Sequence, residues 1–281
     1  MDAIFRNLGR ALGRVFPNCV TLSQAIAFNM FVAFFPLLLF ALGLLGQTSL
    51  FQDALREIPD RLSIILPPGT TGVVAAYFVR KTVSPWRWIV LGLAGTLLAG
   101  TQVMVGYIEG FRVIEGDLME PRYWRRQLRA LCLLCVTIIP MLAVVILTVF
   151  GKQTRHWLML ETGSQYLTRI LELTFYAAVV FVLAMGVLVL LYRLGRPGHS
   201  GFRNLLPGAT VSTILWWTVD MCFGWYVRKM PYDAVYRGLA SAIGLLLWMF
   251  LTAIVVLLGA AYNAEARDTT SSEVTWFRPV Q

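Results

Sequence analysis

The chain has 281 residues, of which 58% are hydrophobic and only 14% are charged. Soluble domains carry about 25% charged residues, so this composition lies outside the soluble class and favours a membrane protein. The net charge of +9 comes from basic residues that stand mostly between apolar stretches, where they would meet anionic lipid headgroups rather than nucleic acid.

Six segments are long and apolar enough to cross a bilayer, which takes about 20 residues. They lie at about 25–45, 88–108, 130–150, 173–192, 205–227 and 238–264. All six must be helices, because lipid offers no partner to free backbone groups. The sequence therefore predicts an all-α, polytopic membrane protein. A single six-helix domain covers residues 1–265, and a polar, disordered cytoplasmic tail covers residues 266–281.

The connection between the first two segments predicts an amphipathic surface helix in the first outer loop. In "FQDALREIPDRLSIIL", Phe51, Leu55, Ile58 and Leu62 recur at helical spacing with charges opposite, and Pro59 interrupts or re-angles the helix. The first apolar run is too long for a signal peptide and lacks a clear cleavage site, so it reads as a retained helix. The distribution of basic residues, with "PRYWRRQLR" on the inner side, predicts that both termini are cytoplasmic.

Asp220 is the only charged residue between Asn204 and Val227, within the fifth segment. A charge at the centre of a span costs about 2.5 to 3.5 kcal/mol on insertion scales, so it requires an explanation. Steps of three and four residues put Asp220 on a face with Thr213 and Gly224 that is smaller and more polar than the rest of the helix. This face is predicted to meet other helices or a wet cavity.

Similar stripes on other segments carry four further polar residues. The functional interpretation is a substrate or ion pathway lined by Asp220, Asn29, Gln102, Glu109 and Asn263. The alternative is interhelical hydrogen bonding and close packing. Both interpretations stay open for Asp220, whereas packing is favoured for Asn29 and Gln102. Glu109, at a span end, is expected to pair with Arg112 three residues later.

A dense basic group precedes the third segment and is interleaved with Tyr123 and Trp124. It consists of Arg122, Arg125, Arg126 and Arg129. These arginines can bind anionic headgroups or RNA phosphates. The structural alternative is topology-setting charge beside an interfacial aromatic belt.

No sequence motif for hydrolysis, metal binding or phosphate cradling occurs, so neither a cofactor nor an enzymatic activity is expected. Cys132 and Cys135 form a C-x-x-C, but no second Cys or His cluster accompanies it. Two cysteines in an apolar segment are typical of small hydrophobic packing residues.

Several longer stretches carry a family pattern. They are "AFNMFVAFFPLLL", "GFRVIEGDLMEPRYWRRQLRAL", "LYRLGRPGHSGFRNLLPGATVSTILWW" and "YDAVYRGLASAIGLLLWMFLTAIVVLLGAAYNAE". With them, residues 21 to 265 resemble the YihY/BrkB family of bacterial inner-membrane proteins, formerly labelled ribonuclease BN. The chain departs from the family pattern at Asn29, Ala33 and Ala261, where the family often has Tyr, Ser and Glu.

The resemblance implies six spans, cytoplasmic termini and a multi-pass protein of the bacterial inner membrane. Because family members are linked to envelope lipid movement, efflux and virulence, it also implies transport of a lipid or another amphiphilic or anionic solute. A non-transporting scaffold or envelope virulence factor is the alternative, and a tRNA-processing ribonuclease a remote one. Membrane lipids are the expected partners, a homo-oligomer is left open, and no nucleic acid is expected.

Overall fold

A computed structural model of the chain describes residues 9–11, 13, 18–45, 85–117, 122–138, 140, 165–196, 201–229 and 237–276. Regular structure in these ranges is helical, as the apolar composition predicts. Helix α1 spans Asn18–Leu45, α2 Pro85–Glu115, α3 residues 123–138, α4 Gln165–Gly195, α5 Leu206–Lys229 and α6 Arg237–Trp276. A 3₁₀ turn at Phe202–Asn204 leads into α5.

Four helical stretches in the described residues are long and apolar enough to cross a membrane. They are Cys19–Ala41, Trp86–Glu115, Ala178–Gly195 and Ala240–Arg267, within α1, α2, α4 and α6. The fifth predicted segment forms the continuous helix α5, whose serine, threonine and aspartate side chains make it less apolar than these four. The third segment runs into residues outside the described ranges. Six spans and cytoplasmic termini therefore stay predictions, and the predicted amphipathic helix of the first loop lies outside the described residues.

Helix α6 continues to Trp276, past the boundary at residue 265 that the sequence suggests. The residues that follow Asn263 include alanine, glutamate and arginine, which are good helix formers. The division into one spanning domain and a tail stays a prediction.

Gly116 ends α2 with a left-handed turn. Its φ is +68°, and the amide of Asp117 donates to the carbonyl oxygen of Arg112 at 3.0 Å, the long bond of a Schellman motif. The turn returns Asp117 to α2, where its carboxylate lies 3.5 Å from Nε of Arg112.

The helices contribute to two compact units. One comprises residues 1–20, 107–217 and 254–281, and the other comprises residues 21–106 and 218–253. In the first unit, the ring of Phe111 on α2 packs edge-on against Tyr192 of α4, with ring centres 5.5 Å apart, and both side chains are fully buried.

In the second unit, α1 and α2 pack as an antiparallel pair through glycines. A Cβ added at each glycine would lie 2.6 to 2.8 Å from the facing residue. The contacts are Gly43 with Ile89, Gly92 with Phe40, Gly95 with Pro36 and Gly106 with Ile26. Each step toward the N-terminus along α1 is matched by an equal step toward the C-terminus along α2, to within one residue. The two antiparallel helices therefore keep one register along their length. Glycine permits this approach because it has no side chain to separate the backbones.

Candidate functional site: an interhelical carboxylate and its polar surroundings

Asp220 accepts a hydrogen bond from the indole of Trp248. Nε1 of Trp248, on α6, lies 2.7 Å from Oδ1 of Asp220, on α5. Trp248 is eight residues inside the candidate span that begins at Ala240, or about 12 Å along the helix axis. The carboxylate therefore lies beside the interior of that candidate span.

The indole is a neutral partner. Among the residues that the structure describes, no basic side chain forms an ion pair with Asp220, and its second carboxylate oxygen has no recorded hydrogen bond. Asp220 is half-buried, so it is not fully enclosed by the surrounding protein. Next to it, the ring of Phe223 lies 3.5 Å from the position that a Cβ on Gly244 would occupy, so α5 and α6 stay in contact around the carboxylate.

Asn263, another predicted pathway residue, lies in the other compact unit and is fully buried. Its Oδ1 accepts from the backbone amide of Gly208 at 2.8 Å, and its Nδ2 donates to the carbonyl oxygen of Leu205 at 3.1 Å. Because α5 begins at Leu206, the side-chain amide of Asn263 satisfies polar backbone groups at the start of the neighbouring helix. Both the oxygen and the nitrogen of this side chain therefore form hydrogen bonds that hold helices together.

Tyr192 and Ser212 extend this buried polar contact, although the sequence reasoning did not single them out. Their hydroxyl oxygens are 2.9 Å apart. The hydroxyl of Tyr192 also lies 2.8 Å from the carbonyl oxygen of Val256, and that of Ser212 lies 2.8 Å from the carbonyl oxygen of Val255. The tyrosine stands in the quoted "LYRLG" stretch, the only signal available before the structure.

Glu109 does not form the expected pair with Arg112. Its carboxylate lies 3.7 Å from Nη1 of Arg126 on α3, whereas Arg112 is buried and contacts Asp117. The expectation was wrong because the Schellman turn brings Asp117 back onto Arg112, and because α3 presents an arginine to the half-exposed Glu109.

The four arginines of the basic group fall into two kinds. Arg126 is engaged by Glu109 and lies 6.0 Å from the ring centre of Tyr123. Arg122, Arg125 and Arg129 are exposed. Three of the four predicted headgroup-binding side chains are therefore presented to the surroundings.

An ionic cluster that the sequence did not predict joins three helices. One oxygen of Glu115, at the end of α2, contacts the guanidinium of Arg196, just beyond α4, and accepts from Nη2 of Arg267 on α6 at 2.8 Å. The side chain of Arg196 is 3% exposed and that of Glu115 12%. Glu115 and Arg196 stand in "EGD" and "LYRLGR", but sequence spacing alone could not pair residues so far apart.

Asn29 and Gln102 lie in the second unit, on facing helices. In the constant register of α1 and α2, Ile26 faces Gly106, so Asn29 stands level with Gln102 and its neighbour Val103. Asn29 is half-buried and Gln102 is exposed.

Comparisons with known proteins agree with the membrane character of the chain. The family model described as "Virulence factor BrkB" matches residues 16–277. A UPF0761 membrane protein from Chromobacterium violaceum is 27% identical over 253 residues, which cover 86% of this chain and 57% of that protein. Another UPF0761 membrane protein, from Xanthomonas campestris, is 26% identical over 266 residues, which cover 91% of this chain and 59% of that protein.

A relative with a different kind of name is the "Putative ribonuclease-like protein YfkH" of Bacillus subtilis. It is 23% identical over 250 residues, which cover 86% of this chain and 88% of that protein. The chain spans little more than half the length of the two UPF0761 proteins. No solved structure matches the chain at a significant level. Because the family model matches nearly the whole chain, the protein belongs to the BrkB family of membrane proteins.

Proposed function

We propose that the protein moves a lipid or another amphiphilic or anionic solute across the bacterial inner membrane. The observation that carries this proposal is Asp220, a half-buried carboxylate beside the interior of a span, held by one neutral donor. Ionisable residues inside membranes are costly and usually belong to substrate or ion pathways.

A carboxylate that served packing alone would be expected to have a basic partner, since an unpaired buried charge is strongly destabilising. The described surroundings of Asp220 supply an indole instead. An open carboxylate oxygen is compatible with a site that contacts water or the polar part of a solute during transport. Its negative charge would repel an anion, so its role in this proposal is to keep the path polar and not to bind the anionic group.

The attraction for anionic groups comes from the exposed Arg122, Arg125 and Arg129. Basic residues near an anionic membrane surface contribute about 1 kcal/mol each. In this proposal they concentrate anionic headgroups at the cytoplasmic face, and Asp220 acts beside the interior of a candidate span.

The test is flux in reconstituted vesicles, using fluorescent anionic and zwitterionic phospholipid analogues and a water-soluble quencher. The wild type is compared with Asp220→Asn, which removes the charge but keeps the shape. Asp268→Asn makes the same change beyond the candidate span that ends at Arg267 and is the matched control. We expect Asp220→Asn to lose most of the flux and Asp268→Asn to retain it.

Two results would count against the proposal. Flux equal in wild type and Asp220→Asn would remove Asp220 from the mechanism. Wild-type vesicles that move neither analogue faster than protein-free vesicles would reject lipid movement. A set of water-soluble organic anions would then test the solute form of the proposal.

A non-transporting scaffold is the second candidate, and a specific observation favours it. A fully buried cluster forms hydrogen bonds only to backbone groups and among its own side chains. It consists of Asn263, Tyr192 and Ser212. In that part of the chain the polar stripe holds helices together. If all such stripes serve packing, Asp220→Asn will alter thermal stability and leave every flux unchanged.

We further propose that the protein is not a nuclease, although one relative is named as ribonuclease-like. RNA cleavage by the purified protein, abolished by substitution of a single identified residue, would overturn this part of the proposal.

A further inference from the structure

We infer that a second copy of this chain binds to the face of the α1–α2 pair on which Asn29 and Gln102 stand, and that these amides bond across the interface. The inference does not depend on the transport proposal. It rests on the position of the two side chains within candidate spans and on the absence of a hydrogen bond to either of them among the described residues.

Both amides lie near the middle of a candidate span. Gln102 is 16 residues from Trp86 and 13 from Glu115, the ends of its span, and Asn29 is 10 from Cys19 and 12 from Ala41. At 1.5 Å per residue, each amide is roughly 15 Å or more from either end of its span. The constant register of the glycine contacts puts them at one level.

Neither amide has a recorded hydrogen bond among the described residues. Other polar side chains of α2 differ: the hydroxyls of Thr96 and Thr101 donate to carbonyl oxygens one turn earlier on their own helix, at 2.7 and 2.6 Å. Gln102 is both exposed and without such a partner. In hydrocarbon, an amide in that state bears the full cost of lost hydration.

The surroundings of the two amides are apolar and exposed. Leu98, one turn before Gln102, is 73% exposed, and Phe28, next to Asn29, is 60% exposed. Val32, one turn after Phe28, is also exposed. Acyl chains can cover these hydrocarbon side chains, but they offer no donor or acceptor to the amides.

A second copy meets this need because amides are self-complementary. Each carries two donors and an acceptor, so the same residue in a two-fold related chain supplies what the first one lacks. Isologous pairing of this kind is the commonest form of homo-oligomer. Amides that bond between helices in lipid stabilise their association. A passing solute would satisfy the amides only while it is present.

The first experiment measures self-association of the full-length protein in lipid vesicles at decreasing protein density, by counting photobleaching steps of a single attached fluorophore. We expect wild type to dimerise, and Asn29→Leu with Gln102→Leu to raise the dissociation constant roughly tenfold, the effect of two interhelical hydrogen bonds in lipid. Asn204→Leu, a change from amide to leucine at an exposed position outside the α1–α2 pair, is the control and should leave the constant unchanged.

The second experiment locates the contact and does not depend on the strength of association. In a background without the four natural cysteines, Gln102→Cys and Leu98→Cys should form disulfide-linked dimers on oxidation, and Val103→Cys, at a buried position, should not. Wild type that stays monomeric at every density would overturn the inference. So would dimers whose dissociation constant is the same in the leucine variants and the wild type, or dimers that form without cross-linking at either exposed position.

Discussion

Gly208 and Gly259 bring the backbones of α5 and α6 into direct contact. A Cβ on Gly259 would lie 2.6 Å from the carbonyl oxygen of Gly208 and 2.5 Å from the hydroxyl of Tyr192, and a Cβ on Gly208 would meet the carbonyl oxygen of Gly259. The buried polar cluster of Asn263, Ser212 and Tyr192 surrounds this contact.

Gly259→Ala is expected to destabilise the protein, since the new methyl group meets backbone on one side and a bonded hydroxyl on the other. Overpacking of a tight site typically costs about 1 to 3 kcal/mol. The control is Gly186→Ala on α4, where a Cβ would have nothing within 4 Å. There the gain in helix propensity, about 1 kcal/mol in soluble hosts, should leave stability equal or higher. Thermal unfolding of both variants in one detergent provides the comparison, and equal melting curves would contradict the close contact.

Asn263→Leu is expected to separate the start of α5 from α6. The substitution keeps the approximate volume but leaves the backbone amide of Gly208 without its partner, at about 1 to 3 kcal/mol for a buried group. The carbonyl oxygen of Leu205 loses the bond from Asn263 but still accepts from the amide of Ala209. Asn204→Leu, at an exposed position just before α5, is the control. Hydrogen exchange at residues 205–210 should quicken only in the first variant. Unchanged protection there would show that Asn263 does not hold the helix start.

Glu115→Gln should be far more harmful than Glu109→Gln, although both changes neutralise a glutamate at the end of α2. Glu115 balances the buried Arg196 and also Arg267, and removal of one partner of a buried pair costs about 3 to 5 kcal/mol. Glu109 pairs with Arg126 through half-exposed side chains, and such pairs contribute about 0 to 1 kcal/mol. Expression and melting temperature of the two variants give the ranking. Similar losses in both would disprove the difference in burial.

The helices of this fold are predictable from sequence because hydrophobicity over 20 residues is a local property. Helical spacing placed Asp220 on a face predicted to meet other helices or a wet cavity, and the bond from Trp248 shows that this side chain contacts another helix.

The partners of individual side chains were not predictable, because they depend on contacts between distant segments. The expected pair of Glu109 with Arg112 failed once a turn at Gly116 offered Asp117 to Arg112. The Glu115 cluster joins residues from three helices, and nothing in their local sequence indicates which helices meet.

The exposed arginines give a prediction on lipid binding that separates them from Arg126. Replacing Arg122, Arg125 and Arg129 together by Gln should remove most bound anionic phospholipid, since each contributes about 1 kcal/mol near a charged surface. Arg126→Gln should remove little, because Glu109 already engages that side chain. Native mass spectrometry of protein extracted with mixed anionic and zwitterionic lipid measures the retained lipid. The difference should shrink in high salt, which screens exposed charges. Equal loss in the two variants would show that the ion pair with Glu109 does not withhold Arg126 from lipid.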